Sequence, residues 1–320
     1  MPDRYKTSPN KRNPLESVNT KNCGIDIARK LESLHISKTT KPLESPNLCF
    51  KAAKHPKIVK NFDKHVCKLI WAHLAHIEKP SVPHIEIEMK FGTITDKTTH
   101  RRMACRNKPS TIQNSNGRLV SKVSKKTFLR FQELFCPKPE STIKNTFSAV
   151  EQIQTYTKDS VYNAKNRSKA EKLTSWRCSE DLKSKESERN YIKKIRVKDF
   201  LIHYPHSPLD AKISISLEIP QCGTSAPFQH SPILRRFKNR SSYSFGNRIP
   251  LHLDLTEVST EKINSSHRST TYEVEVEMDT IFKKAILTND EEKFGEYMNS
   301  FLHTGDLIRK AAMRENTVRT

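Results

Sequence analysis

Glu86, Glu88 and Lys90 stand at every second position of HIEIEMKFG, residues 84 to 92, and Glu273, Glu275 and Glu277 do the same in TYEVEVEMD. Ile85, Ile87, Met89 and Phe91 alternate with the first set, and Val274, Val276 and Met278 with the second. That period of two predicts strands with one charged and one apolar face. Carboxylates two residues apart on one face lie about 7 Å from each other and repel by roughly 2 kcal/mol at an effective dielectric near 20. A hard divalent cation, Mg²⁺ or Mn²⁺, takes oxygen ligands and relieves the repulsion.

Between these two stretches lie strands of the opposite sign. YIKKIRVKDF puts Lys194, Arg196 and Lys198 on one parity, and RRFKNR aligns Arg236, Lys238 and Arg240. DAKISISLE keeps Asp210, Lys212 and Glu218 in phase, with Ile213, Ile215, Leu217 and Ile219 opposite. LHLDLTEV sets His252, Asp254 and Thr256 against Leu251, Leu253 and Leu255. Cations at such spacing suit phosphate oxygens. The plain alternative is an ordinary antiparallel sheet whose polar face is in water. A closed barrel with a polar lumen is a geometry that satisfies both faces and lets acid and base converge.

The elements that must hold these residues follow from periodicity. A helix is expected from about Lys57 to Ile77, with Val59, Phe62, Val66, Ile70, Leu74 and Ile77 on one stripe, and Pro80 and Pro83 end it. A second helix covers Lys125 to Phe135. From about Gln152 strand-like segments dominate, and the tail returns to helix near Asp290, where Thr288 and Glu291 form a capping box. One α+β domain over 57–320 fits this order, after a flexible basic N-terminal extension, 1–56, with a short helix near Ile25 to Leu34.

Composition bounds the partners. The 320 residues carry 57 Lys and Arg against 35 Asp and Glu, a formal charge of +22, which favours polyanions over apolar ligands. Seven cysteines, an odd number with no zinc-knuckle spacing, read as reduced thiols of an intracellular protein, nuclear or cytoplasmic. No run approaches membrane-spanning length.

EIEMK, residues 86 to 90, has the ExExK form of the triphosphate tunnel metalloenzymes, and HIEIEMKFGTI and YEVEVEM resemble the first and last signature strands of the fungal RNA 5′-triphosphatases. The resemblance runs over roughly 57–310 and suggests a short capping-enzyme-like paralogue. It implies a closed antiparallel barrel with a charged lumen, packed outside by a few helices, and metal-dependent hydrolysis of the γ-phosphate from RNA 5′-triphosphate ends and from free nucleoside triphosphates. By position, Glu86, Glu88 and Glu275 are then direct metal ligands, supported by Glu273 and Glu277. Arg177, Lys194, Lys238 and Arg240 grip phosphate, Glu218 orients the attacking water, and Asp254 is a partner one step removed. Lys90, Lys212, Arg236 and Thr256 complete the substrate-binding set.

Arg177, beside Trp176, has a plain alternative as a surface residue next to a core aromatic. His252 departs from the family, which usually has Arg there, and neutral His grips phosphate less well. Family members can dimerise, and cap-forming ones carry a tryptophan-bearing docking peptide in the extension. Here Trp71 and Trp176 both lie outside residues 1–56, so stable guanylyltransferase docking is not expected. The alternatives are a non-catalytic polyphosphate or RNA-binding module and a small-triphosphate hydrolase.

Overall fold

Ile85, Ile87, Met89 and Phe91 are buried on one face of the opening strand, and that face decides where the helices go. The computed structural model describes residues 61–103, 107–112, 116–135, 151–162, 174–184, 188–245, 250–263, 265 and 268–313. All belong to the second of two units into which backbone contacts divide the chain, Lys51–Thr320. The expected extension, its short helix and residues 57–60 lie outside the described residues.

The strands are β1 (Ile85–Asp96), β2 (Ser110–Ile112), β3 (Gly117–Val120), β4 (Glu151–Tyr162), β5 (Thr174–Asp181), β6 (Arg189–His203), β7 (Asp210–Gln221), β8 (Leu234–Ser244), β9 (Leu251–Lys262) and β10 (Arg268–Met278). Around the ring the order is β1, β10, β9, β8, β4, β5, β6, β7, and β7 pairs again with β1. Every pair is antiparallel, so eight strands close into a barrel without a free edge. β3 pairs with the far half of β1, and β2 with the end of β6.

Among the described residues four α-helices lie outside: α1 (Asn61–Leu74), α2 (Lys125–Phe135), α3 (Phe282–Leu287) and α4 (Glu291–Met313). Val66, Ile70 and Leu74 of α1 and Phe294, Met298 and Phe301 of α4 are fully buried in one core with Ile87, Ile213, Ile215, Leu253, Leu255 and Val276 from the strands. Burying each such side chain stabilises by about 1.5–3 kcal/mol, which explains why the apolar parity faces out of the barrel toward the helices. Trp71 packs its ring, tilted, against Phe294 at 5.2 Å between centroids, joining α1 to α4. α2 has the expected bounds. Its amino end is capped by Ser124, whose hydroxyl accepts from the Thr127 amide at 3.0 Å, and Phe128 meets Tyr272 of β10 at 5.0 Å.

The expected capping box is replaced. The cap of α4 is Asp290, whose carboxylate accepts from the Lys293 amide at 2.9 Å. Thr288 instead bonds the Lys284 carbonyl and closes α3. Gly92, which ends the ExExKFG stretch, is required by close approach. A Cβ there would sit 2.1 Å from the Val120 carbonyl oxygen of β3.

Candidate active site

With the apolar parity outside, the charged parity lines the lumen. β1 and β10 lie side by side, with Glu88 opposite Glu277 and Lys90 opposite Glu275. Lys90 Nζ is 3.0 Å from Glu88 Oε2 and 2.5 Å from Glu275 Oε1. Burial alone would push that ammonium down, but Glu275 and Glu88 outweigh it and hold Lys90 above the ordinary lysine range. Glu275 is likewise held well below the usual carboxylate range, because Lys90 and Arg240 outweigh its burial. Lys194 of β6 donates to Glu86 and lies 3.8 Å from Glu88 and 3.2 Å from Glu218. Ser216 of β7 adds a 2.9 Å bond to Glu86.

The acids are crowded. Burial, then the charges of Glu86 and Asp254, push Glu277 up to about 8. Glu88 Oε1 and Asp254 Oδ1 are buried without a hydrogen-bond partner among the described residues. Among those residues no three Asp, Glu, His or Cys side chains form a ready-made metal cluster. The ammonium groups of Lys90 and Lys194 stand between the carboxylates. The donor set nevertheless fits a hard divalent cation. It offers carboxylate oxygens only, two buried oxygens want a partner, and the repulsion that adds to burial in raising Glu277 would be relieved.

The facing wall is basic. Arg177 of β5 reaches Glu218 at 3.3 and 3.4 Å. Arg236 makes a two-pronged bond to Glu273 at 2.7 and 2.8 Å. Lys238 pairs with Asp159 of β4, and Arg240 lies 3.0 Å from Asp254. Burial pushes Lys238 down to about 8; Asp159 pulls it back, and Arg236, Arg177 and Arg240 push it further down. Glu218 stays below its ordinary value despite burial, because Arg177 and Lys194 flank it. Thr256 is buried between Arg240 on β8 and Glu273 on β10, and His252 lies opposite Glu277.

All fifteen residues marked for the site thus lie on the inward parity of one barrel. One in-phase neighbour read from the pattern does not. A bulge in β6 between Arg196 and Lys198 turns Lys198 outward, where it is exposed, and brings Asp199 inward opposite Ser214. Asp199 then takes a 2.8 Å bond from Arg196, another of 2.8 Å from Ser214, and lies 3.6 Å from Lys212. Asp210 is fully buried and structural. It accepts the Ile94 and Tyr204 amides at 3.0 and 3.1 Å and pairs with Arg102 at 2.9 Å, sealing the gap where β7 begins between β1 and β6. Asp159 was not singled out by the pattern. A lone acid in TYTKDSVY carries no alternation of charge, and only its parity with Thr155 and Thr157 could have marked it.

A closed eight-stranded antiparallel barrel with acids on one inner wall and phosphate-binding cations on the other defines the triphosphate tunnel class of proteins. Residues 57–314 match the family model of the mRNA capping enzyme beta chain, and the chain belongs to that family, as a triphosphate tunnel protein of the fungal RNA triphosphatase type. It is 57% identical, over the full length of both chains, to the polynucleotide 5′-triphosphatase CTL1 of Saccharomyces cerevisiae. It is 26% identical over 77% of its length to the mRNA-capping enzyme subunit beta of Kluyveromyces lactis, of which it spans only 46%. The S. pombe Pct1 RNA triphosphatase shares the fold, with a TM-score of 0.63 at 20% identity over 84% of this chain and 99% of that one. Triphosphate tunnel triphosphatases are metal-dependent as a class.

Proposed function

We propose that this protein is a divalent-cation-dependent polynucleotide 5′-triphosphatase, removing the γ-phosphate of triphosphate-ended RNA and of free nucleoside triphosphates. The observation that carries the reading is the meeting of Glu86, Glu88, Glu275 and Glu277 with Arg177, Lys194, Lys238 and Arg240 inside one lumen. A full-length relative with that activity supports the substrate class.

Glu86, Glu88 and Glu275 would hold the cation, Mg²⁺ or Mn²⁺, with Glu273 and Glu277 beside them. When bound, it supplies neutralisation of charge on the terminal phosphate. Arg177, Lys238 and Arg240 bind the remaining phosphate oxygens, and Lys90, Lys212, Arg236 and Thr256 border them. Glu218, kept ionised by its two cationic neighbours, holds water in line with the γ-phosphorus. The water oxygen bonds to phosphorus as the bond to the bridging oxygen breaks, leaving a diphosphate end and inorganic phosphate. Positioning and charge neutralisation account for most of the rate.

The same proposal places the working domain at 57–320 and gives the chain an RNA 5′-end processing role apart from stable guanylyltransferase docking, since Trp71 and Trp176 both lie in that domain. An intracellular site, nucleus or cytoplasm, is consistent with free thiols at Cys67, Cys178 and Cys222. The test is γ-phosphate release from RNA ends and ATP with Mg²⁺ or Mn²⁺. Glu86→Ala and Glu275→Ala should each lower turnover by about 10²-fold or more. Full turnover in both variants removes the metal assignment, and wild type without release from RNA ends overturns the function.

A further inference from the structure

Lys283 belongs to none of the charged strands. α3 follows β10 and carries this lysine to the end of the barrel where Glu86, Glu218 and Glu277 sit. Its ammonium donates to the Pro83 carbonyl at 2.7 Å, in the turn Lys79–His84 that leads into β1. The acids in its field are Glu277, Glu86, Asp279 and Glu218. His84 is its neighbour, beside the backbone of Glu218. Two segments far apart in sequence thus place a cation and an imidazole on the rim beside the acids.

Lys283 differs from the inward cations in one respect. Lys90, Arg177, Lys194, Arg196, Lys212, Arg236, Lys238 and Arg240 each have a carboxylate within 4.0 Å. Among the described residues Lys283 forms no such pair, and its direct partner is a carbonyl. A cation held by Glu86 would leave this ammonium less compensated, with Asp279 and Glu218 still in its field.

The other end of the barrel is narrowed. A Cβ on Gly117 would meet Met103 Sδ at 3.1 Å, Leu201 Cδ1 at 3.2 Å and Ile94 Cγ2 at 3.4 Å, so these side chains crowd the strand ends there. Asp210 with Arg102 fills the adjoining gap. The rim at Lys283 is the opposite end. Along β1 it lies outside Glu86, which itself stands about 7 Å outward of Glu88. A substrate that enters there with its terminal phosphate at the acids would have its first nucleotides at that rim.

We propose that Lys283 binds a backbone phosphate of the RNA strand beyond the triphosphate, so that the tunnel prefers a polynucleotide end to a free triphosphate. The inference rests on the RNA 5′-triphosphatase reading. Its test compares kcat/KM for triphosphate-ended RNA and for tripolyphosphate in wild type, Lys283→Gln and Lys283→Arg. In Lys283→Gln the ratio of RNA to tripolyphosphate kcat/KM should fall about tenfold, through KM, and the RNA salt slope should drop by about one ion. Lys283→Arg should restore most of the ratio. An unchanged ratio, whether both substrates suffer equally or neither does, overturns the proposal. A hydroxyl-ended RNA competing with tripolyphosphate hydrolysis separates the two readings. Its Ki rises in Lys283→Gln if the lysine holds the strand, even if RNA ends were not turned over.

Discussion

Lys238 is the lumen cation whose charge is easiest to lose. It is 9% exposed, and burial together with three arginines brings its pKa to about 8 although Asp159 opposes them. Lys90 and Lys194, held among acids, are pushed the other way and stay charged. Below pH 8 Lys238 is an ammonium that can grip phosphate; as pH rises through 8 it becomes neutral. Phosphate binding should therefore weaken on the alkaline side, with kcat/KM falling from about pH 8 upward. The sign for stability is the reverse. The folded pKa lies below that of the unfolded lysine, so the unfolded chain holds the extra proton between pH 8 and the ordinary lysine value, and folding is favoured as pH rises across that window. Lys238→Arg should flatten the alkaline limb, because guanidinium stays charged throughout. Lys238→Ala should lower kcat/KM at pH 7 by about 10²-fold and leave little further loss by pH 9. Identical alkaline limbs in wild type and Lys238→Arg would assign the limb to another group.

At the scale of elements, Gly92 is where the motif strand meets its neighbour. A methyl group 2.1 Å from a backbone oxygen cannot be accommodated by rotating a side chain, so β1 or β3 must move. Gly92→Ala should cost about 1–3 kcal/mol or more, read as a melting temperature several degrees lower. An unchanged melting temperature would show that β3 is free to shift. Most strands could be read from alternation because each buries one face under helices and turns the other into the lumen. Alternation fails where the count of residues is broken. The bulge in β6 exchanges Lys198 for Asp199, and a period of two carried through YIKKIRVKDF cannot contain it. α3 was missed because six residues hold too few turns for a helical period, and Asp290 outcompeted Thr288 as a cap through its own carboxylate. β2 and β3 are three and four residues long, set by pairing with β6 and β1 rather than by local pattern.

The whole molecule carries a charge of +22, yet its lumen is nearly balanced, with each inward cation within reach of an acid. An anionic ligand entering alone must compete with carboxylates already bound to Lys90, Lys194 and Arg240. A divalent cation held by those acids would change that balance from the other side, because carboxylates drawn to it would release the ammonium groups of Lys90 and Lys194, which now pair with them. Cation and anion binding should therefore be coupled, each strengthening the other by the same factor, about 5- to 150-fold for a coupling of ordinary size. Sulfate is a suitable probe, since it mimics a phosphate group and associates only weakly with Mn²⁺ in solution. Calorimetry should show sulfate binding tightened at saturating Mn²⁺, and Mn²⁺ binding tightened equally at saturating sulfate. Glu88→Gln, which weakens the hold on both the cation and Lys90, should reduce the coupling more than it reduces sulfate binding without Mn²⁺. Sulfate affinity indifferent to Mn²⁺ would mean that the internal ion pairs do not restrain the cations, and that the two walls of the barrel act independently.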